Sequence, residues 1–292
     1  MNQPLTALID ADVLRYEIGA VGEYDDKETG EHVVRDFDLV RTMFDERVQQ
    51  ILTGAGATSY KLFLTGDRHS RRMVERQGRR TGQVVGEFRP NFRESIAADR
   101  VYKGTRTKAK PFHWINLTAY LLSEESTVVT NGYEADDAIG IEHFRDTTTS
   151  IICTRDKDLR MVPGRHYGWE CGKQPEFGPV IYDSLGTIDL IRGKSGNKIK
   201  GGGFKFFGSQ LLTGDVVDNI GGLRGVGPVK AFELLQDCTS EREVFSAVQR
   251  HYEEVAGDNW KELLTEQCGL LWIIRELNED GSLKHFDIEE WL

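Results

Sequence analysis

Apolar runs of strand length recur along the first half of this chain, and carboxylates stand at their ends. LTALI (5–9) leads into Asp10, SYKLFLT (59–65) into Asp67, and TSIICT (149–154) into Asp156 and Asp158. A fourth run, STVVT (126–130), precedes a helix-like segment opened by Glu134, Asp136 and Asp137. Helix-like segments separate the runs. Phe37, Val40, Phe44, Val48, Ile51 and Leu52 recur at helical spacing over 36–53, and GAGA ends that stretch. Residues 113–122 and 134–144 read as helices too. Strands alternating with helices predict a parallel sheet with right-handed crossovers. Functional groups of such sheets collect beyond the carboxyl ends of the strands, where Asp10, Asp67 and Asp156 fall. The fold class is therefore α/β.

Carboxylates gathered at one end of a sheet repel one another and call for cations. Hard oxygen donors point to Mg²⁺, with Mn²⁺ as a substitute. A pair of such ions points to phosphoryl chemistry. Each acid also has a plainer reading. An Asp just past a strand is often a helix cap, and Asp136 and Asp137 near a helix start can simply favour the positive dipole end. Asp156 and Asp158 are spaced i, i+2, so in an extended segment both face one way. Glu134, Asp136 and Asp137 pack three acids into four residues, a repulsive arrangement that suggests a ligand.

The net charge of −10 hides a local reversal. Residues 68–110 hold 13 Lys and Arg against four acids, a charge of +9 inside an acidic chain. A basic stretch of this kind suggests a face that meets a polyanion. Its candidate contacts are Arg71, Arg72, Arg79, Arg80, Tyr102, Lys103, Arg106 and Lys108. Phe88, Phe92, Tyr102, Phe112 and Trp114 are interleaved with the cations, so nucleotides can stack while the cations take phosphates; Phe112 and Trp114 read as core. The four cysteines form no CxxC pair, which argues against a zinc site and for a reducing cytoplasm. Cys153 and Cys268 sit among apolar neighbours and read as core. No run approaches the roughly 18 apolar residues of a membrane helix, and no signal peptide is visible.

Beyond about residue 166 the pattern changes. HYGWE and PVIYDS read as a hairpin, and SGNKIKGGG (195–203) reads as a flexible loop. FKFFGSQLLTG, PVKAFELLQD, REVFSAVQRHYEEV and KELLTEQCGLLWIIREL read as helices. The acidic end, FDIEEWL, reads as a docking tail or a packed terminus. The glycine-rich turn Gly221–Ala231 feeds a helix with Pro228 in its first turn, as helix starts prefer. Gly225 and Gly227 let backbone N–H groups approach a phosphate, and Lys230 adds a charge. This is the pattern of a helix–hairpin–helix grip on a nucleic-acid backbone; a tight helix–helix turn is the plainer reading. The expected division is an α/β body over 1–195, with the basic stretch at about 70–112, and a helical region over 196–292.

Taken in order, LIDAD, FLTGD, YKGTR, YEADD, CTRDKDL and GDVVDNIGGLRGVGPVKA resemble the 5′-nuclease superfamily of flap endonucleases and polymerase-associated 5′ nucleases. The last segment is the most specific. Overall length and the short helical tail are similar to the 5′→3′ exonucleases of podovirus-type bacteriophages. The resemblance implies a PIN-like parallel-sheet body, a helical arch at about 70–112 and a helix–three-turn–helix. It implies a first metal ion on Asp10, Asp67, Glu134 and Asp136. A second would fall to Asp156, Asp158, Asp215 and Asp218, with Asp137 in support. Lys103 and Arg106 match residues that contact the scissile phosphate. K⁺ bound by backbone carbonyls is implied near residues 222–226. The implied activity is a 5′→3′ exonuclease or flap endonuclease acting on DNA with a 5′ end or flap; whether RNA–DNA hybrids are cut is left open by the sequence. A monomer in the cytoplasm is expected, the host's if the gene is a phage's. The segment between Asp67 and Tyr102 departs from the family in being longer and richer in Arg.

Two other readings compete. Asp10-Ala11-Asp12-Val13-Leu14 also looks like the opening motif of haloacid-dehalogenase-type phosphatases, with Gly214-Asp215 and Asp218 as the final acidic motif. That reading leaves YEADD, YKGTR and GLRGVGPVKA unexplained. The other is a DNA-binding protein that keeps the fold without catalysis, which the full complement of acids argues against.

Overall fold

The computed structural model describes residues 4–67, 70, 72–73, 87–193 and 196–292. The chain forms two compact units that interleave along the sequence, where the sequence reading drew one division at 195. The first holds residues up to Asn91, Lys108–Lys157 and Arg165–Val180. The second holds Phe92–Thr107, Asp158–Gly164 and Ile181–Leu292.

In the first unit, strand β1 (Thr6–Asp10) runs directly into helix α1 (Ala11–Val21). A small hairpin, β2 (Glu23–Asp25) and β3 (His32–Val34), leads to helix α2 (Phe37–Ala55). Asp36 caps α2 by accepting from the N–H of Asp38, and Gly56 ends it in the left-handed region at φ 66°. Strand β4 (Ser59–Leu64) follows. The chain passes through helix α3 (Phe92–Ile96), which belongs to the second unit. It returns with helix α4 (Trp114–Ser123), strand β5 (Thr127–Val129), helix α5 (Ala135–Arg145) and strand β6 (Ser150–Cys153). Strands β7 (Gly164–Gly168) and β8 (Phe177–Tyr182) extend the sheet, as the hairpin reading of HYGWE and PVIYDS expects them to be neighbours.

The sheet has six strands in the order β5-β4-β1-β6-β7-β8. β1 pairs in parallel with β4 and β6, β4 with β5, and β6 with β7. Central parallel strands are covered on both faces, so they read as unbroken apolar runs. Ala7, Ile9, Leu62, Leu64, Ile151 and Cys153 join Leu14 and Ile18 of α1, Val40, Phe44, Val48 and Ile51 of α2, and Leu117 and Leu121 of α4 in one core. The α/β class follows from this sheet. No described helix is long and apolar enough to cross a membrane. All four cysteines are free, with Cys153 and Cys268 buried as expected.

In the second unit, strands β9 (Ile188–Gly193) and β10 (Gly196–Gly201) pair antiparallel, with Lys198 opposite Ile191 and Lys200 opposite Asp189. The reading of 195–203 as a loop is therefore corrected: Lys198, Ile199 and Lys200 alternate at the strand period, which the surrounding glycines hide. Helix α6 (Gly203–Thr213), the short strands β11 (Gly214–Asp215) and β12 (Ile220–Gly221), and helices α7 (Pro228–Leu235), α8 (Glu241–Ala256) and α9 (Trp260–Leu271) complete it. The last helix is shorter than the sequence reading. Trp272 turns extended, and its ring packs edge-on against Phe207 and Phe286. FDIEEWL is a packed terminus: Ile288 is buried and Trp291 stacks on Phe204 and Phe286 at centroid distances of 4.7 and 5.6 Å.

Glycine is obligatory where β11 meets β12. Gly214 has φ 71°, and a Cβ on Gly222 would overlap the Thr213 backbone. Gly222→Ala is expected to destabilise the protein by about 2–4 kcal/mol, read as a shift in the urea midpoint. An unchanged midpoint would show that the turn relaxes freely.

Candidate active site

Neighbouring parallel strands end on acids. Along the sheet order β5, β4, β1, β6 come the Glu134–Asp137 group, Asp67, Asp10 and Asp156. Adjacent strands are roughly 4.8 Å apart, so the four ends set these groups in a row.

Asp10 sits at its centre and is 2% exposed. Its Oδ1 accepts from the N–H of Val13 at 3.1 Å, so Asp10 caps α1, as its plainer reading expects. Its Oδ2 accepts from the Thr154 hydroxyl at 2.8 Å, and Thr154 Oγ1 in turn accepts from the N–H of Asp156 at 2.9 Å. Burial first, then Asp12, with Asp156 adding, push the Asp10 carboxyl up to about 7 against those two hydrogen bonds. Asp67 is held differently. Its Oδ1 accepts from the N–H of Ser70 at 2.7 Å, and Lys110 Nζ stands 3.6 Å from its Oδ2. Burial works to raise its pKa, but Ser70, Lys110 and Arg15 outweigh burial and hold the carboxyl below its usual range. On α5, Asp137 is fully buried and accepts from the N–H of Glu134 at 3.1 Å. Glu134, Asp136 and Asp156 are half-buried.

Among the described residues no three His, Cys, Asp or Glu side chains are close enough together to cage an ion. The donor set nonetheless suits a hard divalent cation. It is all oxygen, and its central member is a carboxylate lifted first by burial and then by Asp12, a cost that a bound cation would offset.

Sequence reasoning missed the cation inside this row. Arg15 of α1 is 3% exposed; it donates to Asp12 Oδ1 at 2.9 Å and to the Thr118 hydroxyl at 2.8 Å, with its guanidinium 3.5 Å from the centroid of the Trp114 ring. Lys110 Nζ lies 4.5 Å from the same ring centroid. Trp114 is thus a half-buried cation platform, while Phe112, also read as core, is 66% exposed. The phosphatase reading also loses its second acid. Asp12 is committed to Arg15 and to the N–H of Thr65, 3.1 Å away.

The second unit carries a separate constellation. The turn at Tyr102–Arg106 interlocks with the turn at Asp215–Asn219. Lys103 N–H donates to the Asp218 carbonyl at 2.8 Å, and Asn219 Nδ2 donates to the Val101 carbonyl at 3.0 Å. Lys103 and Asn219 both adopt positive φ, 55° and 59°. Non-glycine residues tolerate that conformation where surrounding contacts impose it. Asp218 collects the basic side chains: Arg106 at 2.6 Å, Lys103 at 3.8 Å and the Tyr102 hydroxyl at 3.3 Å. Asp215 is buried and accepts from the N–H of Val217 at 2.7 Å, and Asp158 accepts from Gln210.

The glycine-rich turn runs from β12 to α7, with Gly227 as N-cap and Pro228 in the first turn. Leu223 and Val226 anchor it inward. Gly225, at φ 79°, and Gly227 face open space, and Lys230 is exposed. Of the basic stretch, Arg72 and Lys108 are exposed, whereas Arg71, Arg79 and Arg80 lie outside the described residues. Arg93 is spent internally on the carbonyls of Leu270 and Trp272.

No family model matches the chain. It is similar to DNA polymerase I of Caldicellulosiruptor bescii, 26% identical over 168 residues, and to DNA polymerase I of Rhizobium leguminosarum, 29% identical over 115 residues. The matched segments cover 55% and 38% of this chain but only 19% and 10% of those polymerases. Among solved structures it is similar to the T5 D15 protein co-crystallised with metal ions, at a TM-score of 0.52 and 12% identity, over 91% of this chain and 88% of that one. That likeness is one of fold, with the mostly parallel six-stranded sheet in common.

Proposed function

We propose that this chain belongs to the 5′-nuclease (flap endonuclease) superfamily and is a metal-dependent nuclease. Its reaction is hydrolysis of DNA phosphodiester bonds near a 5′ end, as an exonuclease or flap endonuclease. The observation that carries this reading is the row of carboxylates beyond the ends of β5, β4, β1 and β6. Asp10, Asp67, Glu134 and Asp136 are the proposed ligands of a Mg²⁺ ion, with Asp137 bracing Glu134 from behind. Asp156 joins the row, and Asp158 and Asp215 are the second unit's candidate ligands for a second ion. A divalent ion held by such carboxylates would lower the pKa of a bound water and stabilise negative charge developing on phosphate oxygens.

The remaining residues act on the nucleic acid. Lys103 and Arg106 neutralise the phosphate under attack. Asp218, already paired with both, holds them in place, and Tyr102 offers a ring on which a base stacks. The open backbone at Gly225 and Gly227, the first turn of α7 and Lys230 grip the sugar–phosphate chain without reading sequence. Backbone carbonyls at 222–226 are the proposed K⁺ site.

The test is a pair of 5′-labelled substrates, a blunt duplex and a matched 5′ flap, digested in Mg²⁺ and in EDTA. Release of labelled product only with the metal is expected, and the ratio of rates separates exonuclease from flap endonuclease. A pure protein that binds both substrates and cuts neither supports the non-catalytic reading instead. Lys230→Glu is expected to weaken DNA binding and to lower the slope of log affinity against log salt by about 1–2. An unchanged slope removes Lys230 from the interface.

A further inference from the structure

Arg15 is placed where a nuclease of this design has no chemical use for it. It lies under the acidic row, 3% exposed, shielded from solvent and unable to reach a substrate. Three of its surroundings are acids: Asp12 in direct contact, and Asp67 and Asp10 close enough to act on its charge. Its Nε is buried with no hydrogen-bond partner. The buried guanidinium is therefore under-satisfied for hydrogen bonds and held chiefly by charge and by Trp114 beneath it.

Its partner spreads the connection. Asp12 Oδ2 accepts from the N–H of Thr65, which opens the turn carrying Asp67. The Thr65 hydroxyl accepts from the N–H of Ala135 at 2.9 Å, at the start of the helix bearing Asp136 and Asp137. One chain of hydrogen bonds thus runs from α1 through the end of β4 to α5, the elements that hold the proposed ligands.

We propose that Arg15 is a positioning residue, a resident counter-cation that keeps the acidic row of the first unit assembled when no metal ion is bound. The assignment rests on the reading of these acids as metal ligands. Arg15 and a divalent ion neutralise the same carboxylates, so each substitutes in part for the other. Removing Arg15 leaves Asp12 without its ion pair and withdraws one compensating charge from Asp10 and from Asp67, which keeps Lys110, in the metal-free protein; it leaves the metal-bound protein less affected.

The experiment compares wild type, Arg15→Met, Arg15→Lys and a control, Arg47→Met. The control breaks the Arg47–Glu17 pair, 3.1 Å apart, elsewhere in the same unit. Thermal unfolding is followed in EDTA and in Mg²⁺, and Mn²⁺ affinity is measured by titration calorimetry. Arg15→Met is expected to lose roughly 5–10 °C in EDTA and to recover most of it in Mg²⁺. Its Mn²⁺ affinity is expected to tighten roughly tenfold, because no resident cation competes. Arg15→Lys, which keeps the charge and is the informative variant if Arg15→Met fails to fold in EDTA, should respond to Mg²⁺ as wild type does. Arg47→Met should lose the same with and without metal. If Arg15→Met behaves like that control, or if Arg15→Lys responds as strongly as Arg15→Met, Arg15 is core packing only and the proposal falls. A wild type that Mg²⁺ does not stabilise overturns the metal reading itself, and the role of Arg15 with it.

Discussion

Asp156→Ala is expected to cut the single-turnover rate of nucleotide release by roughly a thousandfold, leave DNA affinity nearly unchanged, and raise the melting temperature of the metal-free protein. The three effects have one origin. Asp156 donates its N–H to the Thr154 hydroxyl, and that backbone bond survives the substitution. Its carboxylate is one of the like charges that lift Asp10. Deleting it relieves repulsion at a buried group, so the metal-free fold gains while the proposed metal site loses a ligand. Lys230, Gly225 and the Tyr102–Arg106 turn are untouched, so the proposed grip on DNA persists. Stopped-flow or quench digestion, fluorescence anisotropy and thermal unfolding in EDTA check the three separately. Cleavage at the wild-type rate, or DNA affinity that collapses along with cleavage, would refute the assignment. A loss of activity with a lower melting temperature would instead mark Asp156 as structural, since a functional residue that costs stability shows the opposite sign.

The acidic row was legible in the sequence because each acid follows its own strand within a few residues, and strand ends in a parallel sheet converge by construction. Asp10, Asp67 and Asp156 needed no knowledge of distant contacts. Arg15 did. Its partners Thr118 and Trp114 are about a hundred residues away, so its burial under the row depends on how α4 packs against α1. Thr154 was overlooked for a different reason. Its hydroxyl ties β1 to the residue after β6 only because those strands are neighbours, which chain order does not state. Asp218 looked like one more acid in GDVVDN, and only the interlocked turns show that it collects Lys103, Arg106 and Tyr102. The hairpin strand over Gly196–Gly201 was hidden by glycine-rich composition: four of its neighbours and ends are glycine, while its pairing with Ile188–Gly193 comes from alternation over only three residues.

Asp10 also gives the metal-free protein an unusual pH dependence. Its carboxyl is raised from 3.8 to about 7 in the folded chain, so between those values the folded state holds a proton that the unfolded state has lost. Stability from this group is therefore present at low pH and falls as pH rises toward 7. Asp67 has the ordinary sense: its carboxyl is lowered, and it costs stability only when pH falls below 3.8 through its folded value. The two windows do not overlap; His32, raised by its hydrogen bond to Asp25, also loses stability as pH rises above 6.5, so the part of the decline in melting temperature from pH 5 to pH 8 in EDTA that Asp10→Asn removes is assigned to Asp10. A divalent ion must displace the Asp10 proton to use both oxygens, so its apparent affinity should rise about tenfold per pH unit up to about pH 7 and level off above it. Asp10→Asn keeps a carbonyl oxygen for the Val13 N–H, and the Thr154 hydroxyl can turn to accept from the new amide. That variant is expected to flatten the EDTA profile and to bind Mn²⁺ weakly at every pH. A wild-type profile already flat between pH 5 and 8, or an Asp10→Asn profile that declines as steeply as wild type, would place the titrating group elsewhere. The expected pattern would show that burial, with Asp12 adding, disfavours the charged Asp10 carboxylate in the metal-free protein, a cost that a metal ion would offset.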